Sequence, residues 1–215
     1  MLDSEEARRR RAALVVEVAR SVADARVLEA LRAIPRHAFV PELDLEDAYA
    51  DCPQPIGHGQ TISQPTIVAL MSAALELSGR ERVLEIGTGC GYQTAVLSRL
   101  AREVYTVEIV PELAERARAT LAALGCANVR ARVGDGYAGW REEAPFDRVV
   151  LTAAPPTLPA ALLEQLGDRG VLVAPIGKQG ANQRLVRARR RGREVDVDDL
   201  GGVIFVPMVP KVWVS

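Results

Sequence analysis

The segment that most constrains the fold is a short apolar strand that runs directly into a glycine-rich turn. Residues 82–86 are RVLEI, and residues 87–91 follow as GTGCG before a helical pattern that continues to about Leu100. Alternating glycines let a backbone turn tightly and approach a ligand without side-chain clashes. Tyr92 stands where G-x-G-x-x-G needs its third glycine, which disfavours a dinucleotide fingerprint. A strand-to-helix turn without any ligand stays open as the simpler interpretation.

The rest of the chain beyond this turn alternates strands with helices. Strands are predicted over residues 104–108, 129–133, 148–151 and 171–174, with helices from Pro111 to Gly125 and over residues 159–166. Runs near residues 183–187, 194–197 and 203–206 predict antiparallel strands at the sheet edge. Strands that alternate with helices predict an α/β fold with a doubly wound, mostly parallel sheet.

The first 79 residues predict a helical extension and a binding loop. Asp24 is placed to cap a helix that ends at Pro35, and Pro65 is placed to begin another. The intervening segment lacks regular periodicity, and unstructured connections of this length are usually functional. The arginines at residues 8–11 predict a solvated helix face. We expect one domain over residues 1–215, with residues 1–79 carrying the extension and residues 80–215 the cofactor-binding core.

Charge and cysteine usage exclude several classes of protein. The chain has 27 basic and 28 acidic residues, whereas a dedicated nucleic-acid binder usually carries a basic surplus. Its three cysteines are widely spaced and it has two histidines, which predicts neither a disulfide framework nor a metal site. No apolar run approaches the roughly 20 residues that span a bilayer, and the N-terminus does not resemble a signal peptide. These features predict a cytoplasmic monomer without membrane or nucleic-acid partners.

Three carboxylates lie where ligands bind in such sheets, at the carboxyl ends of the strands. Glu85 precedes the glycine turn and suits an ammonium group. Glu108 ends the second strand and can accept hydrogen bonds from two ribose hydroxyls. Asp135 can accept an adenine amino proton, while Gly136 permits close passage of the ligand. Each has a simpler interpretation alone, as a surface residue or part of a ligand-free turn, but together they suit a nucleoside cofactor without phosphate.

This order of acidic residues resembles the S-adenosylmethionine-dependent methyltransferase fold. A narrower resemblance, to the protein-L-isoaspartate O-methyltransferase family, covers about residue 30 to the C-terminus. It rests on residues 34–37, 39–41, 48–51, 56–65, 83–91, 104–108, 134–136, 139–140, 144–147, 151–154 and 203–207. The GQTISQP stretch at residues 59–65 is the most specific of these. Cys90 departs from the family pattern, in which serine is usual.

The resemblance implies a methyltransferase that esterifies the α-carboxylate of L-isoaspartyl residues in damaged proteins. The ester then collapses to a succinimide that partly reopens to normal aspartate. Because a carboxylate is already ionised at pH 7, no strong general base is needed. The implied cofactor is S-adenosyl-L-methionine, held by Glu85, Gly87, Gly89, Cys90, Glu108, Asp135 and Gly136. The implied substrate contacts are Ile62, Ser63, Thr152, Ala153 and Ala154.

Ser63 is the predicted catalytic residue, as a hydroxyl donor to the substrate carboxylate. Since it lies two residues before Pro65, it could instead be only a helix cap. His58 is expected to be exposed, and Trp140 and Phe146 are expected in the core.

Three rival functions remain at this level. An RNA methyltransferase on the same fold would use the arginines of residues 184–193, although a solvated edge hairpin around Gly192 explains them more simply. A non-catalytic cofactor-binding adaptor would have no need of the Ser63 loop. A dehydrogenase is disfavoured by the glycine spacing.

Overall fold

The computed structural model describes residues 3–210 of the chain, as a seven-stranded sheet with helices around it and a separate two-stranded hairpin. Its elements, in chain order, are α1 (Glu5–Val18), α2 (Ala25–Ala33), α3 (Leu45–Ala48), β1 (Gln54–Gly57), β2 (Gln60–Ile62), α4 (Pro65–Ala74), β3 (Arg82–Ile86), α5 (Tyr92–Leu100), β4 (Glu103–Glu108), α6 (Pro111–Ala123), β5 (Val129–Val133), β6 (Phe146–Leu151), α7 (Ala160–Glu164), β7 (Leu166–Ile176), β8 (Gln183–Arg191) and β9 (Glu194–Val203).

The large sheet has the strand order β5-β4-β3-β6-β7-β8-β9. Strands β3 to β7 pair in parallel, whereas β8 and β9 add to one edge antiparallel. The predicted mostly parallel sheet with an antiparallel edge is confirmed. Strand β3 lies between β4 and β6, so the chain order reverses at its carboxyl end. That is the position at which open α/β sheets bind ligands.

Apolar side chains on both faces of β3 join the sheet to its helices. Val83 packs with Leu97 and Val150 on one face, while Leu84 belongs to a second cluster on the other. All four side chains are fully buried. Burying a side chain of this size contributes roughly 1.5–3 kcal/mol, so these contacts hold the glycine turn on a rigid base.

The N-terminal helices follow the predicted capping chemistry, with one correction. The Asp24 carboxylate accepts hydrogen bonds from the amides of Arg26 and Val27, as expected of an N-cap. The prediction of a solvated face over residues 8–11 is wrong for Arg11, which is only 8% exposed. Its guanidinium pairs with Asp3 at 2.8 Å, because α1 folds against the segment beyond α2 and the pair satisfies the buried charge.

The segment between Pro35 and Pro65 is more regular than its sequence suggests. A 3₁₀ helix (Arg36–Phe39), the short helix α3 and the hairpin of β1 and β2 all lie within it. The prediction of a connection without secondary structure is therefore wrong. These elements are too short to show a hydrophobic period, so local patterns do not indicate them.

The C-terminal third has different boundaries from those predicted. Strand β7 begins at Leu166 rather than residue 171, since its first residues are polar or glycine and show no strand pattern. Helix α7 is correspondingly shorter than residues 159–166. Strand β9 is one continuous strand where two were predicted, and residues 204–206 lie outside it.

The predicted charged edge hairpin is confirmed by ion pairs across β8 and β9. Arg184 pairs with Asp199 at 2.8 Å, and Arg187 pairs with Asp198 at 2.9 Å. Four of the arginines of residues 184–193 thus have acidic partners on the neighbouring strand, namely Arg184, Arg187, Arg189 and Arg191. Within the described part of the chain, no helix is long and apolar enough to cross a membrane.

Candidate active site

The glycine turn after β3 is held in a conformation and a space that exclude larger residues. Gly87 has φ +98°, and a β carbon there would collide with the hydroxyl of Thr152. That hydroxyl donates to the carbonyls of Ile86 and Gly87 and so joins the end of β6 to the turn. Gly89 lies under the hairpin, since a β carbon there would be 3.4 Å from the Ile56 side chain. The turn is thus clamped between β6 and the hairpin.

Glu108 braces the same turn from the end of β4. One carboxylate oxygen accepts a hydrogen bond from the Gly89 amide at 2.7 Å, and the other accepts from the amides of Ile109 and Val110. Each carboxylate oxygen has two lone pairs, so the oxygen that accepts from Gly89 can accept one further hydrogen bond from a ligand hydroxyl, whereas the other oxygen is fully used. Glu108 lines the cleft above the turn, where the sequence predicted a ribose contact.

Asp135 and Gly136 follow β5 with separate roles. Asp135 accepts a hydrogen bond from the Tyr137 amide and so caps a 3₁₀ helix, Gly136–Ala138. Its other carboxylate oxygen accepts no hydrogen bond from residues 3–210. Gly136 lines the cleft, and a β carbon there would collide with Ile86 and lie 3.1 Å from Met208. Glycine is therefore required at residue 136 by the close approach of three chain segments.

Glu85 lies beneath the turn rather than in the cleft. Its side chain is fully buried, and one carboxylate oxygen accepts from the hydroxyls of Thr94 and Thr106 at 2.5 and 2.6 Å. The other oxygen has no partner among the described residues. Burial raises the pKa of Glu85 to about 7. The expected direct contact with a ligand ammonium group is corrected, because alternation along β3 turns Glu85 towards α5.

Cys90 lines the cleft from inside the glycine turn and is 4% exposed. Burial raises the pKa of its thiol to about 11, so the group stays protonated at neutral pH. It therefore acts as a small apolar residue with a weak donor, not as a nucleophile.

Ser63 follows β2 and does not cap the next helix. Gln64 is the N-cap of α4 and makes no side-chain cap bond. The Ser63 hydroxyl has no hydrogen-bond partner among residues 3–210, which leaves it free to donate to a ligand. Ile62 is 3% exposed and forms part of the wall beside it. The helix-cap interpretation of Ser63 is wrong.

Two clefts meet at Ser63. The inner one, of about 820 Å³ including open solvent, lies over the glycine turn. The outer one, of about 1550 Å³ including open solvent, lies between the start of α4 and the end of β9. Thr61, Ser63, Thr152 and Val206 line both. The predicted site residues in the inner cleft are Ile62, Ser63, Gly87, Gly89, Cys90, Glu108, Gly136, Thr152 and Ala153.

Three predicted site residues do not line the inner cleft: Glu85, Asp135 and Ala154. Ala154 is 2% exposed, and its backbone pairs with Val206 and Met208. This pairing gives Ala154 a structural role, and its contact with substrate stays a prediction.

Several residues that line the inner cleft have no signal in the sequence, whereas others lie where the sequence predicts them. Thr88, Thr61 and the chain over residues 206–208 line the inner cleft, and no local pattern singles them out. His58 is exposed at the hairpin tip, as expected. Phe146 is fully buried and Trp140 packs edge-on against Tyr105, which confirms their place in the core. Residues 3–210 contain no group of three or more His, Cys, Asp or Glu side chains placed to hold a metal ion.

Comparisons with known proteins agree with this geometry. The family model of protein-L-isoaspartate(D-aspartate) O-methyltransferase matches residues 9–212. A protein-L-isoaspartate O-methyltransferase of Myxococcus xanthus is 56% identical over 190 residues, covering 87% of this chain and 90% of that protein. Protein-L-isoaspartate O-methyltransferase 2 of Shewanella sediminis is 55% identical over 189 residues, covering 88% of this chain and 78% of that protein.

Solved structures agree over nearly the whole chain. A protein-L-isoaspartate O-methyltransferase superposes with a TM-score of 0.86 at 27% identity, covering 94% of this chain and 67% of that one. A candidate member from Plasmodium falciparum, solved with S-adenosyl-L-homocysteine, superposes with a TM-score of 0.79 at 24% identity, covering 92% and 97%. The family match and the close relatives assign the chain: it belongs to the protein-L-isoaspartate(D-aspartate) O-methyltransferase family.

Proposed function

We propose that this enzyme transfers a methyl group from S-adenosyl-L-methionine to the α-carboxylate of L-isoaspartyl residues in damaged proteins. The single observation that carries the assignment of roles is the position of Ser63. Its unpartnered hydroxyl lies where the inner cleft over the glycine turn meets the outer cleft. A methyl donor in the inner cleft and a polypeptide in the outer cleft would meet beside this side chain.

The residues of the inner cleft fit the cofactor by their chemistry. Glu108 offers acceptor capacity for a ribose hydroxyl, and Gly87, Gly89 and Gly136 line the cleft with main-chain atoms only. Basic side chains, which a phosphate group would require, do not line this cleft within the described residues. When bound, the cofactor supplies an electrophilic sulfonium methyl group.

The protein's part in the reaction is positioning. The substrate carboxylate is ionised at pH 7, since an α-carboxyl group has a pKa of about 3.5. The Ser63 hydroxyl donates a hydrogen bond to one carboxylate oxygen and leaves the other free to attack. Thr152 keeps the turn in register, and Ala153 leaves room beside the acceptor. Holding the two reactants in line supplies most of the acceleration. The methyl ester leaves the enzyme. The adjacent main-chain amide nitrogen then attacks the ester carbonyl, so that a succinimide forms and methanol departs without further help from the enzyme.

The first experiment compares two peptides that differ only in having isoaspartate or aspartate at one position. Each is incubated with radiolabelled S-adenosyl-L-methionine, and base-labile label is counted. We expect label on the isoaspartyl peptide alone. Label on both peptides, or on neither while cofactor binding is intact, would contradict the proposal.

The second experiment tests Ser63 by replacement with alanine. Losing a hydrogen bond to a charged group should lower kcat/KM by roughly 10- to 100-fold. Binding of S-adenosyl-L-homocysteine should stay within about twofold, because Ser63 lies at the mouth of the inner cleft. Ser21→Ala is the matched control, since Ser21 is exposed and follows α1 away from the site. Unchanged turnover in Ser63→Ala would remove Ser63 from the mechanism.

We further propose a cytoplasmic monomer that acts as one domain and has no nucleic-acid partner. The pairing of the β8 arginines with acidic residues of β9 supports this over the RNA methyltransferase alternative, because paired charges release few counterions from phosphate. Salt-dependent RNA binding with micromolar affinity would contradict the proposal. Methyl transfer in the first experiment would exclude the non-catalytic adaptor.

A further inference from the structure

A fully buried arginine lies behind the Ser63 loop. Arg36 follows α2 in the 3₁₀ helix and has an exposed fraction of 0%. Its guanidinium donates to three main-chain carbonyls, those of Ala48, Ser63 and Cys52, at 3.0, 3.0 and 3.3 Å. It also stacks over the ring of Tyr92, with 4.9 Å from the guanidinium carbon to the ring centroid. Arg36 therefore ties α3, the start of the hairpin and the Ser63 loop to one point.

The charge of this guanidinium has no close counter-charge. Among residues 3–210, no carboxylate lies within 4.0 Å of Arg36. Burial lowers the pKa of Arg36, yet an arginine in a protein stays protonated at neutral pH. Buried charges are usually paired, because removal from water is costly and the attraction of a partner offsets it. An anion bound at Ser63 would provide that missing partner.

The carboxylate of Asp51, whose charge acts on Arg36, has its hydrogen bonds with other groups. One of its carboxylate oxygens accepts from the Thr66 amide at 2.8 Å. The other accepts from the Thr66 hydroxyl and the Gln64 side chain at 2.7 and 2.9 Å. These bonds fix the first turn of α4, directly after Ser63. Arg36 therefore holds the Ser63 loop by donating to the Ser63 carbonyl, and Asp51 holds it by accepting from the residues that follow Ser63.

We propose that Arg36 is a positioning residue for the methyl acceptor, which it serves in two ways. It fixes Ser63 through the main-chain carbonyl, and its unpaired charge favours an anionic group beside the Ser63 hydroxyl. The proposal rests on the proposed function, since it requires the α-carboxylate to bind at Ser63. On this proposal the enzyme selects a carboxylate through the buried charge of Arg36 and not through an ion pair at the surface.

The test measures affinity for two peptides in Arg36→Met and Arg36→Lys. One peptide carries an isoaspartyl residue with a free α-carboxylate, and the other carries the neutral α-carboxamide, which is measured as a competitive inhibitor. In Arg36→Met the preference for the carboxylate peptide should fall about tenfold or more, because the fixed charge is gone. Arg36→Lys should retain that preference but lower kcat about tenfold, because an ammonium group cannot reproduce the three-carbonyl fork.

Arg190→Met is the matched control. The Arg190 guanidinium also donates to main-chain carbonyls, those of residues 163, 164, 166 and 192, but Arg190 lines neither of the two clefts at Ser63. It should leave the carboxylate preference unchanged. Binding of S-adenosyl-L-homocysteine should stay within about twofold in all three variants, which separates positioning of the acceptor from general damage.

Each remaining outcome is decisive. An unchanged carboxylate preference in Arg36→Met, or an equal loss in Arg190→Met, would overturn the role of the charge. Should Arg36→Met fail to fold, the decisive variant is Arg36→Lys. A wild-type kcat in Arg36→Lys would show that the three carbonyl contacts of the guanidinium do not position Ser63. If the wild-type enzyme transfers no methyl group to the isoaspartyl peptide, the proposed function has failed instead.

Discussion

The buried carboxyl of Glu85 makes a quantitative prediction about stability and pH. Glu85→Gln preserves the shape of the side chain and, through its amide oxygen, the bonds from Thr94 and Thr106, which both end on one oxygen of Glu85. Burial raises the pKa of Glu85 from 4.5 to about 7. The wild-type protein therefore loses stability as the pH rises from the unfolded pKa through the folded pKa, because the unfolded chain ionises first. The variant has no such loss.

The size of the effect follows from linkage. The shift from 4.5 to about 7 makes the free energy of unfolding fall by about 2.5 kcal/mol more in the wild type than in Glu85→Gln between pH 5 and pH 8. Urea unfolding of both proteins without cofactor, at several pH values in this range, measures it. If the difference in free energy of unfolding between the two proteins does not change with pH, the pKa of Glu85 is not raised by burial.

Glu81→Gln is a control of opposite sign. Burial opposes ionisation of Glu81, but bonds from the Ser78 hydroxyl and from the amides of residues 78, 79 and 80 outweigh it and lower the pKa. A lowered pKa contributes stability above the unfolded pKa that is lost as the pH falls. Because the unfolded pKa of Glu81 already lies below this range, Glu81→Gln should be destabilised by a nearly constant amount between pH 5 and pH 8, and its difference from the wild type should shrink only as the pH falls below about 4.5.

Three further predictions follow from packing and burial. Gly136→Ala should lower the free energy of unfolding by about 1–3 kcal/mol in urea, since its β carbon collides with Ile86, whereas Gly134→Ala meets only ordinary contacts and should have little effect. Leu162→Ala should cost about 2–5 kcal/mol in the same assay, because the side chain is fully buried; a smaller loss would contradict tight packing there. Native Ellman titration at pH 8 should detect two thiols rapidly and that of Cys90 only after unfolding, and three rapid thiols would disprove its burial.

Local chemistry accounts for what the sequence predicts well. Asp24 caps α2, and Pro65 and Pro111 each occupy the first position of a helix, because these residues act on their own backbone or on amides two or three positions away. The strand before the glycine turn is also predicted with its correct bounds, since its burial on both faces gives a continuous apolar run broken only by Glu85.

Long-range pairing accounts for what the sequence does not predict. Glu85 was expected in the cleft, but its environment depends on the register that places Thr106 of β4 beside it and on the helix that brings Thr94 over it. Ala154 does not line the inner cleft, because its backbone pairs with Pro207, which is distant in the sequence. Arg36 shows no periodic signal, since its three acceptors come from separate turns.

The pairing of Ala154 with Pro207 completes the inner cleft with a segment that is synthesised late. Residues 206–208 form part of the wall of the inner cleft, and Met208 packs against Gly136. A ribosome makes Ser63 and the glycine turn early, but this wall comes from the last tenth of the chain. Contacts between segments that are distant in sequence form slowly, because the entropy of loop closure is lost before the contacts can stabilise the chain. A chain in which this segment has not docked therefore lacks part of the cleft wall, and we expect methyl transfer only after Pro207 has paired with Ala154.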